Sequence, residues 1–461
     1  MMESLTLPRI CSILISVFAI AMSTHAQSMD DEAVAWLQAF IQVDTTNPPG
    51  NESRAVDFYA KIFKVEGISF HSAESAPGRG NIWARLEGGD EPALILLQHT
   101  DVVPANTKFW TTNPLSGEIK DDYLWGRGAL DMKSTGISQL ATFLSLHRSG
   151  TRLNRDVVFL ATADEEAGGH YGVGWLLEHH PEIFAGAGLL ITEGGRGSDQ
   201  DDERIFSVEV TQKVPVWLRL VAVDEPGHGS TPNATSSVTR IVDAMNRLRE
   251  NAFPPRIIPA VDAMFAAEGK NMKGEWADAY ADMASAVKQP GFMQKLQEHS
   301  SFHHALTRDT CSLTRMGGSS KINVIPPEAW AEIDCRMLPD RPAEKFIDDV
   351  RQLIDKTGVE IEVIMAFTPA VSSTTSVLYQ AIEKVTSERH PGSRVMPAVS
   401  TGFTDSHFTR DLGIASYGFD PIVIPVSEFS RVHGNDERVN VAAFRRSVGD
   451  LMAIISEVVY D

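Results

Sequence analysis

Three short, almost purely apolar runs, 93–98 (ALILLQ), 157–162 (VVFLAT) and 188–192 (GLLIT), each end directly on acidic or histidine side chains. A strand with one wet face alternates, whereas a run without alternation is buried on both faces. Three such strands predict a largely parallel sheet covered by helices, an α/β architecture. Beyond them lie His99-Thr100-Asp101, Asp164-Glu165-Glu166 and Glu193-Gly194-Gly195. Ligands collect outside the carboxyl ends of such strands, so metal-ligand side chains converge on one rim. Loop 126–133 adds Asp131 just before a helix, and loop 431–436 adds His433. Crowded carboxylates repel and resist desolvation, and a cation is the simplest way to gather them.

Helical spacing covers 31–43 and 52–65, punctuated by the breaker Asn47-Pro48-Pro49-Gly50. From 207 the pattern changes. A long alternating stretch, 207–223, leads to a helix over 236–250, strands at 312–316 and 329–337, a helix over 343–357 and a strand at 360–366. That order describes a split βαβ domain. A helix-rich insertion, about 253–306, separates its first helix from its second strand. After Pro369 the helix–strand alternation returns. The expected organisation is a main domain over 27–206 and 369–461, interrupted by a ferredoxin-like domain over 207–368. A chain of 461 residues suits two cores.

The first residues stand apart from this plan. Arg9 precedes an apolar run, 10–22, that ends in Ser23-Thr24-His25-Ala26. This predicts a signal peptide, 1–26, cut after Ala26, with an uncleaved anchor as the alternative. The mature protein is then expected to be exported, periplasmic or secreted, without stable membrane insertion. An excess of 61 acids over 41 bases argues against a nucleic-acid partner. Cys311 and Cys335 are too few for a disulfide scaffold or a cysteine zinc site. They fall on neighbouring predicted strands, where a cross-strand disulfide or two buried free thiols both fit, the thiols being preferred. No Gly-x-Ser-x-Gly elbow or phosphate-binding glycine loop is present, which disfavours a serine hydrolase or nucleotide enzyme. His179-His180 and His303-His304 lack a Glu-x-x-His partner arrangement and read as surface residues.

Five segments carry a resemblance. His99-Thr100-Asp101, Gly128-Ala129-Leu130-Asp131-Met132-Lys133, Asp164-Glu165-Glu166-Ala167-Gly168, Thr192-Glu193-Gly194-Gly195 and His433-Gly434-Asn435-Asp436-Glu437 resemble the metal-site motifs of the dinuclear zinc aminoacylase and carboxypeptidase family. Order and spacing match over essentially the whole mature chain, nearest to the carboxypeptidase S and secreted N-acyl-amino-acid hydrolase branch. The resemblance implies a zinc-hydrolase domain with an inserted lid. It implies two Zn2+ per chain, with Co2+ able to substitute: His99 and Glu193 on one, Glu166 and His433 on the other, Asp131 bridging. Asp131, Glu166, Glu193 and a bridging hydroxide then balance four positive charges. It further implies Asp101 orienting His99, a cis peptide after Asp131, and Glu165 as general base. Adjacent residues at a strand end point in different directions, so Glu165 and Glu166 need not share one role.

His228, in Pro226-Gly227-His228-Gly229, sits on a glycine-flanked turn and matches the family histidine that stabilises the oxyanion, often across a subunit boundary. Arg336, Asn323 and Gly402 match positions that hold the substrate, and a guanidinium suits a bidentate grip on a carboxylate. A structural salt bridge is the alternative for Arg336. By the same resemblance, glutamate at 193 implies carboxypeptidase or aminoacylase activity on peptides or N-acyl amino acids. A dipeptidase or aminopeptidase on the same scaffold is the alternative, and a non-catalytic periplasmic binding protein a more distant one. A homodimer through the lid is implied too. The helical insertion either covers an acyl or peptide pocket or replaces part of the usual dimer surface.

Overall fold

The computed structural model describes residues 28–200, 203–270 and 272–460; the expected signal peptide lies outside the described residues. Eight strands form the main sheet, in spatial order Phe70–Glu74, Gly80–Leu86, Arg155–Thr162, Glu91–His99, Ala187–Gln200, Ala415–Val423, Glu203–Gln212 and Arg394–Ser400. Its centre is parallel: Glu91–His99 lies between Arg155–Thr162 and Ala187–Gln200, and the last runs parallel to Ala415–Val423. The margin at Phe70–Leu86 is antiparallel.

The unbroken apolar runs divide between two cores because side chains alternate along a strand. Leu94, Leu96, Val157 and Phe159 face one side, against Phe40, Leu140, Phe143 and Leu451. Ile95, Leu97, Val158 and Leu160 face the other, against Val173 and Leu176. Helices Met29–Ile41, Lys133–Ser149 and Val441–Val459 pack on one another over the first face. Met29–Ile41 shows why: Ala33, Val34, Leu37, Phe40 and Ile41 form one buried stripe, and Asp30, Asp31 and Glu32 meet the positive end of the helix dipole.

A second, antiparallel sheet has the order Thr310–Gly317, Glu328–Met337, Val214–Val223, Glu360–Ala366. Strict alternation in Glu328–Met337 sends Ala331, Ile333, Cys335 and Met337 into a separate core with Leu218, Leu220, Ile241 and Phe346. Helices Ser237–Glu250 and Ala343–Leu353 cover that face. This is the expected strand–helix–strand–strand–helix–strand order, forming a lid beside the main sheet.

Three expectations need revision. The alternating stretch 207–223 is two strands: 207–212 belong to the main sheet, and the chain crosses to the lid at Lys213. Lys213 is buried there, its Nζ donating to Ala305 O (2.8 Å), Arg308 O (2.8 Å) and Thr310 Oγ1 (2.9 Å). Cys311 and Cys335 are bonded rather than free thiols, because the register sets them directly opposite on antiparallel strands. The helical insertion, which includes Pro259–Gly269, Glu275–Ala281, Phe292–His299 and Ser301–Leu306, packs on the edge of the main sheet. Within it His303 is half-buried, not a surface residue: Tyr280 Oη lies 2.6 Å from its Nδ1 and Glu268 3.1 Å from its Nε2.

Candidate metal centre

The carboxylate of Asp131 lies between two histidines. His99 Nε2 is 3.2 Å from its Oδ1, and His433 Nε2 is 3.1 Å from its Oδ2. Glu193 Oε1 approaches His99 Nε2 at 3.4 Å, and Glu166 Oε2 approaches His433 Nε2 at 3.1 Å. Two triads result, His99–Asp131–Glu193 and Asp131–Glu166–His433, the ligand atoms of each lying within 4.8 Å of one another. Five side chains from five distant segments thus meet around one shared carboxylate.

Each is held by local structure. His99 ends its strand almost fully buried, with Nδ1 2.9 Å from the main-chain oxygen of Asp101. A proton on Nδ1 leaves Nε2 with its lone pair toward Asp131 and Glu193. The side chain of Asp101 is 3.5 Å from that Nδ1, so its own carbonyl is the nearer partner. The Asp101 carboxylate accepts from the backbone N–H groups of Glu165 and Glu166 (both 3.2 Å) and from Asn47 Nδ2 (2.8 Å). It joins the His99 strand end to the turn bearing both glutamates.

That turn starts at Asp164, in the left-handed region at φ 73°. Its carboxylate pairs with Arg79, which also reaches Glu52 at 3.2 Å, and accepts from Tyr171 N at 2.9 Å. Glu193 is not at a strand end as expected; its strand continues to Gln200. It sits at a bulge, where pairing jumps from Thr192↔Gly418 to Gly195↔Phe419. Gly194 has φ 137°, and a Cβ on Gly195 would stand 2.0 Å from Ser207 O, so the neighbouring strand closes over this point only on glycine. The Asp131–Met132 peptide is cis, as the resemblance implies.

Glu437 is the anchor that sequence reading missed. Its buried carboxylate accepts from Arg127 Nη1 (2.6 Å) and from the backbone N–H groups of Gly128 (3.0 Å), Leu130 (2.7 Å) and Asp131 (3.1 Å). It thereby ties the Asp131 loop to the segment bearing His433. Its signal was present as the last residue of the 433–437 motif. Arg79 had none, being a single polar residue without a motif around it, and the breaker that holds Asn47 marked a turn and not a contact to this site. Asp405, buried and accepting from Thr162 Oγ1 at 3.1 Å, is pushed up to about 8 by burial, with the charges of Asp101 and Glu193 adding to the rise and that of His99 opposing it.

The electrostatics favour a bound cation. Hydrogen bonds to Asp131 and Glu166 push His433 up to about 10, so the cluster draws positive charge. Burial, with the charge of Glu193 next, raises the Glu165 carboxyl well above the usual carboxylate range. Glu165 belongs to neither triad and lies with Oε2 4.0 Å from His99 Nε2. Imidazole nitrogens and carboxylate oxygens fit borderline divalent ions such as zinc.

The remaining candidates lie on the lid and on the loop below it. Arg336 donates from Nε and Nη2 to Asp334 (2.8 and 3.2 Å), the salt bridge left open as an alternative. Among the described residues its Nη1 is buried without a hydrogen-bond partner, and its guanidinium stands 5.5 Å from the ring of Phe403, next to Gly402. Gly402 N donates to Ser400 Oγ at 3.1 Å, and a Cβ there would fit. His228 and Asn323 share a small antiparallel ribbon, Gly227–His228 against Val324–Ile325, with Gly229 N donating to Asn323 O at 2.9 Å. Ser230 N donates to His228 Nδ1 at 3.1 Å, which puts the proton of a neutral ring on Nε2. Both side chains are exposed, and among the described residues neither makes a hydrogen bond or ion pair to the five clustered ligands.

Two N/O triads sharing one carboxylate at the rim of a parallel sheet, with a buried glutamate alongside, define a two-metal hydrolase. The chain belongs to peptidase family M20/M25/M40, whose profile matches residues 95–457, and is a metal-dependent amidohydrolase. It is 30% identical over 402 residues to the N-fatty-acyl-amino acid synthase/hydrolase PM20D1 of Xenopus tropicalis, covering 84% of this chain and 77% of that protein. It is 25% identical to human aminoacylase-1, covering 93% and 95% of the two chains. Among solved structures it is similar to the M20 family metallo-carboxypeptidase Sso-CP2 of Sulfolobus solfataricus, at a TM-score of 0.71, 18% identity and coverage of 92% and 98%.

Proposed function

We propose that this enzyme hydrolyses the amide bond beside a free carboxylate in N-acyl amino acids or in peptides at their carboxyl end, with two zinc ions. The observation that carries the reading is the pair of triads sharing Asp131 beside a buried Glu165 that belongs to neither. His99 and Glu193 would hold one ion, Glu166 and His433 the other, with Asp131 common to both. Two such ions, when bound, supply Lewis acidity for the attacked carbonyl and the attacking water. Glu165 takes a proton from the attacking water and delivers it to the amide nitrogen as the C–N bond breaks, leaving a carboxylate and a free amine. Arg336 Nη1 and the Gly402 loop support a carboxylate seat, and His228 an Nε2–H donor for the oxyanion once the lid closes.

Glutamate at 193 and the named activities of the relatives favour aminoacylase or carboxypeptidase chemistry over dipeptidase chemistry. N-acetyl amino acids should be cleaved, and their carboxamides more slowly by about a hundredfold or more. Preferential cleavage of free dipeptides overturns the assignment. Glu165→Gln should retain both metals on elemental analysis while losing about 10²–10⁴ in kcat. We further propose export after cleavage at Ala26 and a homodimer through the lid. Sequencing of the mature N-terminus and analytical sedimentation test them.

A further inference from the structure

Lys213 is the single residue between strand Glu203–Gln212 of the main sheet and strand Val214–Val223 of the lid, and it is fully buried. Its backbone N–H donates to Ser400 O at 2.8 Å, and Ser400 Oγ in turn accepts from Gly402 N at 3.1 Å. Beyond Gly402, Thr404 N donates at 2.9 Å to Oε1 of Gln212, the residue before Lys213. The Gly402 loop is therefore tied to the domain crossing on both sides.

The side chain of Lys213 holds the lid. Its Nζ donates to Ala305 O and Arg308 O at the end of the insertion and to Thr310 Oγ1 on the edge strand of the lid sheet. Three acceptors match the three protons of an ammonium, and a neutral amine would leave one of them without a donor. Thr310 stands directly opposite Arg336 on antiparallel strands, and the residue opposite Arg336 on its other side is Pro215, two after Lys213. Arg336 donates from Nε and Nη2 to Asp334, while its Nη1 is buried and, among the described residues, without a partner. One buried cation thus joins the two halves of the carboxylate seat, the Gly402 loop and the strand of Arg336.

We propose that Lys213 is a positioning residue for that seat: its ammonium fixes Thr310 and the strand of Arg336 against the Gly402 loop, so that the grip on a substrate carboxylate weakens when Lys213 loses its proton. The inference rests on the reading of Arg336 and Gly402 as the carboxylate seat given above, and adds to it the residue that sets its geometry and its pH range. Burial pushes Lys213 down to about 7, with Asp309 opposing, Arg336 and Arg256 adding to the fall and Asp334 opposing. The insertion end that supplies its carbonyl partners also carries Arg308 and His304, and His304 is itself held down by burial and by the charges of Arg308 and Lys213. A carboxylate arriving at Arg336 offsets a neighbouring positive charge and raises the proton affinity of Lys213. Binding then takes up a proton above pH 7, and affinity is lost as pH rises through that window.

Two readouts on the metal-loaded enzyme test this. In Glu165→Gln, which binds without turnover, calorimetry of N-acetylalanine at pH 8 in buffers of different ionisation enthalpy should show uptake of about half a proton or more per ligand. Adding Lys213→Met should abolish that uptake. In the active enzyme the preference in kcat/KM for N-acetylalanine over its carboxamide should fall about tenfold from pH 7 to pH 9, because titrations at the metals and Glu165 are common to both substrates and cancel. Lys213→Met should make the preference low and flat with pH, through KM, with kcat for N-acetylalanine within about threefold of wild type. Thr310→Val, which keeps the shape and removes one acceptor, should raise KM for N-acetylalanine about threefold. Absence of proton uptake in Glu165→Gln alone, a result that needs no change at Lys213, overturns the proposal. So does uptake, or a pH-dependent preference, that persists in Lys213→Met. Arg336→Ala tells this failure from that of the reading beneath it. If Arg336→Ala leaves KM for N-acetylalanine unchanged, the seat itself falls. If it raises KM while Lys213→Met does not, the seat stands and the role of Lys213 falls.

Discussion

Glu437 touches no candidate metal position, yet four N–H donors converge on its carboxylate from the Asp131 loop and Arg127. Breaking one side of a buried, hydrogen-bonded ion pair is expensive because the other charge stays buried. Glu437→Gln should therefore lower stability by about 3 kcal/mol in thermal denaturation. It should also weaken metal affinity by about 10–100-fold in calorimetry, since it loosens the segments that carry Asp131 and His433. His407 makes a different residue-scale prediction. Its ring lies between Phe367 and Phe408, with centroids at 3.6 and 3.8 Å, and burial together with the charge of Arg410 pushes it down to about 3. The unfolded chain binds that proton near pH 6.5 and the folded one only near pH 3, so stability is lost as pH falls through this window. Chelated wild-type protein should lose about 1.4 kcal/mol per pH unit more than His407→Gln below pH 6. Equal slopes in urea titrations reject this. At this scale the sequence displayed the ligands, which sit in recognisable motifs, but not Asn47 or Arg79, whose partners Asp101 and Asp164 are distant in the chain.

Strands and helices were legible where periodicity is strong and misread where it is continuous across a boundary. The alternation of 207–223 persists because both halves pair in sheets, and the burial of Lys213 marks the change of sheet. The same limit applied to Cys311 and Cys335. Their strands were visible, but register decides which residues face each other. Their bond closes a separation of 24 residues at the edge of the lid sheet. Reduction should destabilise the lid by about 3 kcal/mol. The unreduced, denatured protein beginning at Gln27 should give no thiol signal with Ellman's reagent, and two thiols per chain would reject the bond. The insertion was legible as helical, while its seat on the main sheet was not, because amphipathic helices declare a buried face without naming what buries it.

Across the whole molecule, the metal triads sit on one sheet system and the Arg336, His228 and Asn323 group on the other. The two systems join through the crossings near Lys213 and Phe367, together with packing such as Arg336 over Phe403. A carboxylate substrate gripped by both should draw them together. Small-angle scattering is expected to show compaction when a carboxylate inhibitor is added to the metal-loaded enzyme, with no compaction for its carboxamide. An unchanged profile in both cases would remove lid closure from the mechanism.

The chain itself determined the α/β class and a set of candidate ligands that the fold brings together, because unbroken apolar runs, alternating runs and motif residues are local features that survive in one dimension. Tertiary structure alone decided that Glu193 sits on a mid-strand bulge, that Asp101 binds the glutamate turn, that two cysteines meet, and that the insertion packs on the edge of the main sheet. Those outcomes depend on register and on packing between segments distant in the chain, whose energies no local pattern records.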